Sequence, residues 1–190
     1  CSTAATELAQ RQLAAGAHLF LESSRPGVAA RLGIDHAAIS AARPSIVYAS
    51  FSGYGQQGPY ARLPMTDTVA QAFSGLMALH REPDGTPRKL NHYFVDLMGS
   101  LYGFQAIAPA LFAQAMRGEG RYLDISLVQA AAAIQAAKFA EHAVDGGAPA
   151  PFNAPAGIYR TRDGWLALTF MREDQVPRLC TALAMPELAE

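Results

Sequence analysis

A chain of 190 residues, 51% apolar and 16% charged, can bury one good core and is too apolar to be disordered. Its formal net charge of −1 excludes a general attraction to nucleic acid or anionic membrane, so an anionic ligand must be met by local donors. Cys1 and Cys180 fall in no metal-ligand or CxxC spacing and read as small buried or incidental thiols.

Taken in chain order, "STAATELAQRQLAAG" predicts a helix capped by Ser2 or Thr3 and stopped by Gly16. "AHLFLE" predicts a short buried strand, and "SSRPGVAARLG" a loop with a brief helical turn. "DHAAISAA" predicts a helix capped by Asp35, and "SIVYASF", between Pro44 and Gly53, the next strand. This alternation implies βαβ units and an α/β fold with a Rossmann-like parallel sheet. After the glycine-punctuated loop "SGYGQQGPY", a helix is predicted over Asp67 to Leu79, with Val69, Phe73, Leu76 and Met77 on one stripe. Residues 80–93 are polar and broken by Pro and Gly, hence a loop. A long helix from about Asp96 to Met116 follows, stopped at Gly118 and Gly120.

"RYLDISL" predicts a strand and "VQAAAAIQAAKFAEHA" an Ala-rich helix. The texture changes at Val144, where "DGGAPAPFNAPAG" marks a linker. The domain expectation is therefore 1–143 as part of a large domain and 144–190 as the linker and start of a small α+β domain. In the latter, "IYRTRDGWLALTF" predicts a hairpin turning at Arg162-Asp163-Gly164, with Trp165, Ala167 and Thr169 on one face. A last helix is expected from about Glu173 to Ala184. Tyr159, Trp165 and Phe170 read as packing residues rather than a cofactor box. Both ends are abrupt, so the chain is expected to be a portion of a longer polypeptide. Nothing resembles a signal peptide, and no apolar run reaches the ~18 residues of a membrane helix, which makes a cytoplasmic location the default expectation.

Asp96 stands out as a single acid heading a long apolar helix. An Asp in that place is ordinarily an N-cap, accepting backbone N–H bonds and offsetting the positive helix end. The same anchoring also suits a covalent nucleophile, because a carboxylate held and oriented in a small-residue pocket can attack an activated carbonyl. Gly99 and Ser100 would leave room for the approach. The loops "ESSRPGVAARLG" and "SFSGYGQQGPY" follow strands, where parallel sheets bind ligands. Arg25 and Arg31 could meet phosphates and Ser52-Gly53-Tyr54-Gly55 could line a groove; surface turns with solvated arginines are the alternative. The five histidines show no zinc spacing and no serine sits in GxSxG. His92, near Asp96, reads as structural.

Several stretches, in order, resemble the family III CoA-transferases, the group that includes formyl-CoA and carnitine CoA-transferases and the α-methylacyl-CoA racemases. "AHLFLESSRPGVAARLG", "RPSIVYASFSGYGQQGPY", "DTVAQAFSGLM", "VDLMGSLYGFQAIAPALFAQAMRGEGRYLDISLVQA" and "APAGIYRTRDGWLAL" carry the likeness over nearly the whole chain. The resemblance implies a CoA-transferase moving CoA between an acyl-CoA and a free carboxylic acid, with Asp96 forming an aspartyl intermediate. It implies CoA contacts at Ser23, Ser24, Arg25, Arg31, Phe51, Ser52, Gly53, Tyr54 and Gly55, with Arg31 toward the nucleotide phosphates. CoA and acyl-CoA would be substrates, with no permanently bound cofactor, no metal and an interlocked homodimer. The chain departs from the family pattern at Ser23-Ser24, usually Asn-Phe, and at Gly99-Ser100, usually Thr-Gly; both bear on acyl specificity and activity. The racemase branch carries a His where this chain has Thr66, which cannot take a proton from an α-carbon and so favours transfer. A non-catalytic or truncated paralogue is the other alternative.

Overall fold

The computed structural model describes residues 2–14, 16–82, 84–146, 156–170, 172, 174–185 and 187. Cys1, the Pro/Ala stretch of the expected linker and Glu173 lie outside them, as do the side chains of Ser2 and Thr3. The described chain divides into two units, one up to Ala137 and one from Lys138 onward.

The first unit begins with α1 (Ser2–Ala14), β1 (Leu19–Glu22), α2 (Val28–Arg31), α3 (His36–Ala42) and β2 (Val47–Ser52). Then come α4 (Asp67–Phe73), α5 (Leu76–Leu79), α6 (Phe94–Arg117), β3 (Arg121–Ser126) and α7 (Leu127–Ile134). Asp35 caps α3 as expected, its Oδ1 accepting from the Ala38 N–H at 3.0 Å. The three strands form a parallel sheet in the order β1-β2-β3, with Leu19 opposite Val47 and Val47 opposite Arg121. This is the expected α/β architecture. Central β2 explains its own composition: Val47, Tyr48, Ala49 and Ser50 are buried on both faces of the sheet. One core cluster joins Ala9, Leu13, Ile39, Ile46 and Tyr48, and the Tyr48 hydroxyl donates to the Ile34 carbonyl at 2.9 Å. A second joins Ala70, Leu76, Val95 and Ala131.

Two sequence expectations for the middle of the chain need correction. The single helix over Asp67 to Leu79 is two helices, because Gly75 takes a left-handed conformation (φ 80°) and restarts the chain as α5. Its apolar stripe holds at Leu76, which is buried, and fails at Val69 and Phe73, which are exposed, whereas Asp67, Ala70 and Gln71 face inward. Hydrophobic spacing misses this face because its polar members are buried by hydrogen bonding to other segments.

The long helix α6 starts at Phe94, two residues before the expected start, and Pro109 lies within it. Its far end is tied to the sheet by buried Gln114. That amide donates to the carbonyls of His18 (2.9 Å) and Ser45, and its oxygen lies 3.0 Å from His18 Nδ1. α6 thereby spans the layer against β2 and β3, with its head at the carboxyl ends of the strands.

In the second unit, α8 (Ala136–Asp145, which begins within the first unit) precedes β4 (Gly157–Arg160), β5 (Trp165–Leu168) and α9 (Gln175–Ala182). β4 and β5 pair antiparallel, and Thr161 N–H donates to the Gly164 carbonyl at 2.9 Å to close the turn, as expected of a hairpin. Trp165 and Tyr159, expected to pack, are exposed instead. Cys180 is a buried free thiol.

Candidate active site

The sheet places two loops and one helix head at the same edge. The loop after β1 is anchored by Glu22, whose Oε2 accepts from the Ser24 N–H at 2.8 Å while Oε1 takes the Ser50 hydroxyl of β2. The loop after β2 is held in two places. Gly55 N–H donates to Ser52 Oγ at 2.9 Å, and Gln56 N–H donates to Asp124 Oδ2 at 3.0 Å. Gln56 Nε2 also donates to Ser50 Oγ at 2.7 Å, so one buried serine joins both loops to the central strand. These bonds fix backbone that carries no regular ladder.

A cleft of about 570 Å³ opens between these loops and α6. Of the sequence-selected residues, Asp96, Ser23, Phe51, Ser52 and Gly53 line it, together with Gly99 and Ser100. Leu21, Met65, Phe104, Ile107 and Leu127 supply further, mostly apolar wall. Ser24, Arg25, Arg31, Tyr54 and Gly55 do not line it. Arg25 and Arg31 are exposed, and Tyr54 packs with Tyr60 and Phe73, ring centroids 5.7 and 4.9 Å away. The glycines of α6 let its neighbours come close. A side chain on Gly99 would meet Leu127, and one on Gly103 would enter the Phe51 ring.

The role expected of Asp96 as a helix cap is not the one it has. The helix opens at Phe94 after Tyr93, which gives no side-chain cap bond, so Asp96 is the third helical residue. The cap comes from another segment: Asp67 Oδ1 accepts from the Val95 N–H at 2.7 Å and the Asp96 N–H at 3.2 Å. Asp67 is only 6% exposed, and its second oxygen accepts from Gln71 Nε2 at 2.6 Å. Gln71 in turn binds Leu90 at both its N–H (2.9 Å) and carbonyl (3.2 Å), and reaches the His92 carbonyl at 3.2 Å. Asp67, Gln71 and Met65 were not singled out as site residues. The one available signal was an acid and an amide four apart in "MTDTVAQAF", off the apolar stripe.

Relieved of capping, the Asp96 carboxylate accepts no hydrogen bond from the described residues and stays open to the cleft. Partial desolvation against the apolar wall, and then the neighbouring Asp67 carboxylate, push its carboxyl above the usual aspartate range. A more basic, unbonded carboxylate is a better nucleophile than a capped one. Thr66, also close by, has its hydroxyl accepting from the Val69 N–H at 3.4 Å as the cap of α4. No group of three or more His, Cys, Asp or Glu suited to a metal ion occurs among the described residues. No helix among them is long and apolar enough to cross a membrane.

Comparison with known proteins gives a consistent result. The family described as CoA-transferase family III matches residues 2–190. An acetyl-CoA:oxalate CoA-transferase of Acetobacter aceti is 34% identical over 91% of this chain and 46% of its own length. A succinate–glutarate CoA-transferase of Agrobacterium fabrum is 30% identical over 95% of this chain and 46% of its own. The crystal structure of a CaiB/BaiF family protein from Brucella suis superposes with a TM-score of 0.82 at 30% identity, covering 97% of this chain and 50% of that one. The chain thus spans about half the length of the curated relatives it matches.

Proposed function

The chain belongs to CoA-transferase family III, and from that premise we propose that its protein moves CoA between an acyl-CoA and a free carboxylic acid through covalent intermediates on Asp96. The supporting observation is the unbonded, partly desolvated Asp96 carboxylate on the wall of a cleft built from the loops after β1 and β2. An Asp96 oxygen attacks the thioester carbonyl, a C–O bond forms, the C–S bond breaks and CoA leaves as thiolate. The thiolate then attacks the Asp96 Cγ carbonyl and releases the first acid as carboxylate, leaving an aspartyl-CoA thioester. The acceptor carboxylate attacks that carbonyl and expels the thiolate, giving a new anhydride. Attack of thiolate on the acceptor's acyl carbon forms product and regenerates Asp96. Only a carboxylate nucleophile allows this, since its own carbonyl must carry CoA and then release it.

In this reading Ser23, Phe51, Ser52 and Gly53 bound the thioester end of the substrate. Ser24, Tyr54 and Gly55 continue the CoA surface, and Arg25 and Arg31 meet its phosphates from their exposed positions. Residues 1–143 are part of the CoA-binding large domain, and 144–190 are the linker and the start of the small one. The exposed stripe Leu97, Leu101, Phe104 and Phe112 on α6 supports burial by further chain or a second copy in an interlocked homodimer. Thr66 in place of a histidine supports transfer rather than racemisation. CoA enters as a substrate, and a cytoplasmic setting suits its supply.

The full-length protein, given acetyl-CoA or succinyl-CoA with the matching isotope-labelled acid and no other acceptor, is expected to exchange label into at least one thioester. CoA binding without exchange would instead identify a non-catalytic paralogue. Gly103→Ala is expected to raise KM for acyl-CoA about three- to tenfold, because the displaced Phe51 ring narrows the cleft. Adding Phe51→Leu should return KM toward the starting value; steady-state kinetics of the pair checks this.

A further inference from the structure

Asp96 borders a second cleft, of about 600 Å³, whose character is different. Thr66, Thr68, Lys89, Asn91, His92 and Tyr93 line it beside Asp67, and only Met65 and Asp96 belong to both linings. The first cleft is walled largely by hydrocarbon, the second by groups that donate hydrogen bonds. Lys89 forms no ion pair with the described residues. The segment carrying it is not loose, because buried Gln71 grips Leu90 at both backbone groups and reaches the His92 carbonyl. The amide that completes the Asp67 cap therefore also sets Lys89 and Asn91 beside the nucleophile.

We propose that this polar cleft holds the body of the acid being exchanged, and that Lys89 binds the distal carboxylate of a dicarboxylic acid there. The proposal rests on the transferase reading and deepens it by naming the substrate class. A carbonyl on Asp96 must receive a sulfur nucleophile and an oxygen nucleophile in turn, and two unlike clefts meeting at one side chain give each its own approach. Charge sets the order of events. While Asp96 is free, its carboxylate and that of Asp67 oppose an incoming anion. Acylation removes the Asp96 charge, the Asp67 charge is met by two backbone N–H groups and Gln71, and Lys89 remains as the attracting group. A monocarboxylate of the same length gains nothing from Lys89, whereas a dicarboxylate gains a charge-assisted hydrogen bond. The donor acid leaves by the route the acceptor enters, so one subsite serves both.

The test uses the full-length protein, whichever of acetyl-CoA and succinyl-CoA passes the exchange assay, and the acceptors glutarate and valerate. The unmodified protein is expected to prefer glutarate, and Lys89→Gln to lower the glutarate-to-valerate ratio of kcat/KM about tenfold. Lys89→Arg should hold that ratio within about threefold of the unmodified value, since the charge is kept. A preference for valerate, or a ratio unmoved in Lys89→Gln, overturns the subsite and leaves the Asp96 chemistry standing. Absence of exchange with either thioester overturns the transferase reading and the subsite with it.

Discussion

Asp96→Asn is expected to lower kcat for CoA transfer by at least about a thousandfold while leaving the fold and CoA affinity close to unchanged. The carboxamide is nearly isosteric and takes no part in helix capping, because Asp67 holds the Val95 and Asp96 N–H groups. No described hydrogen bond to the Asp96 side chain is lost. The substitution even removes a carboxylate held at a raised pKa beside Asp67, so the folded protein should gain slightly at neutral pH. The sign follows from linkage. A carboxyl whose folded pKa is raised binds its proton more tightly when folded, so its ionisation weakens the fold as pH climbs through that pKa. Chemical unfolding and calorimetry with CoA, run beside the transfer assay, separate lost chemistry from lost structure. A variant that keeps transfer contradicts the mechanism outright.

Asp67→Ala carries the second large effect, on stability and catalysis together. It strands the Val95 and Asp96 N–H groups and takes the shortest bond from Gln71 Nε2, which keeps the Leu90 and His92 carbonyls. A buried donor without a partner costs about 1–3 kcal/mol, so a loss of roughly 2–5 kcal/mol is expected on urea unfolding. Misplacement of the nucleophile by even about 1 Å can cost a hundredfold, so kcat should fall by about that factor while KM for acyl-CoA moves little. Asp67→Asn is the informative companion. Its oxygen can still cap α6, but its NH₂ faces the Gln71 amide, so its stability falls between those of the unmodified protein and the alanine variant. Transfer requires ionised Asp96, so the rate rises with pH through the Asp96 pKa, which burial and then Asp67 raise. Removing the Asp67 charge lowers that pKa and moves the acid limb of the pH–rate profile downward. An acid limb that moves upward, or stays in place, contradicts the electrostatic link between the two acids.

What the sequence discloses and conceals follows the range of the interactions involved. Asp35 was readable as a cap because it bonds the N–H of Ala38, three residues on. Strands β1 and β2 were readable because β-branched and aromatic residues sit between turn signals; the glycine-punctuated stretch ending β2 pointed to Ser52 and Gly53 of the cleft, and the family resemblance added Ser23 and Phe51. The cap of α6 was not readable, since Asp67 lies 28 residues before Val95 in the chain. The same holds for Gln114, which reaches His18 across 96 residues. Buried polar residues of this kind defeat hydrophobic spacing, which is why Asp67 and Gln71 on the inner face of α4 escape it. Asp96 itself was found for a reason the structure revises. An acid heading an apolar helix suggested a capping carboxylate, and it is the absence of a capping duty that leaves this one free to react.

Transfer through Asp96 requires a covalent bond to one of its carboxylate oxygens, and that bond can be trapped. The full-length protein is mixed with its acyl-CoA, quenched in hydroxylamine, digested and analysed by mass spectrometry over the peptide containing Asp96. A hydroxamate is expected on Asp96 that requires acyl-CoA and is absent from Asp96→Asn. A protein that turns over acyl-CoA while Asp96 stays unmodified would contradict it.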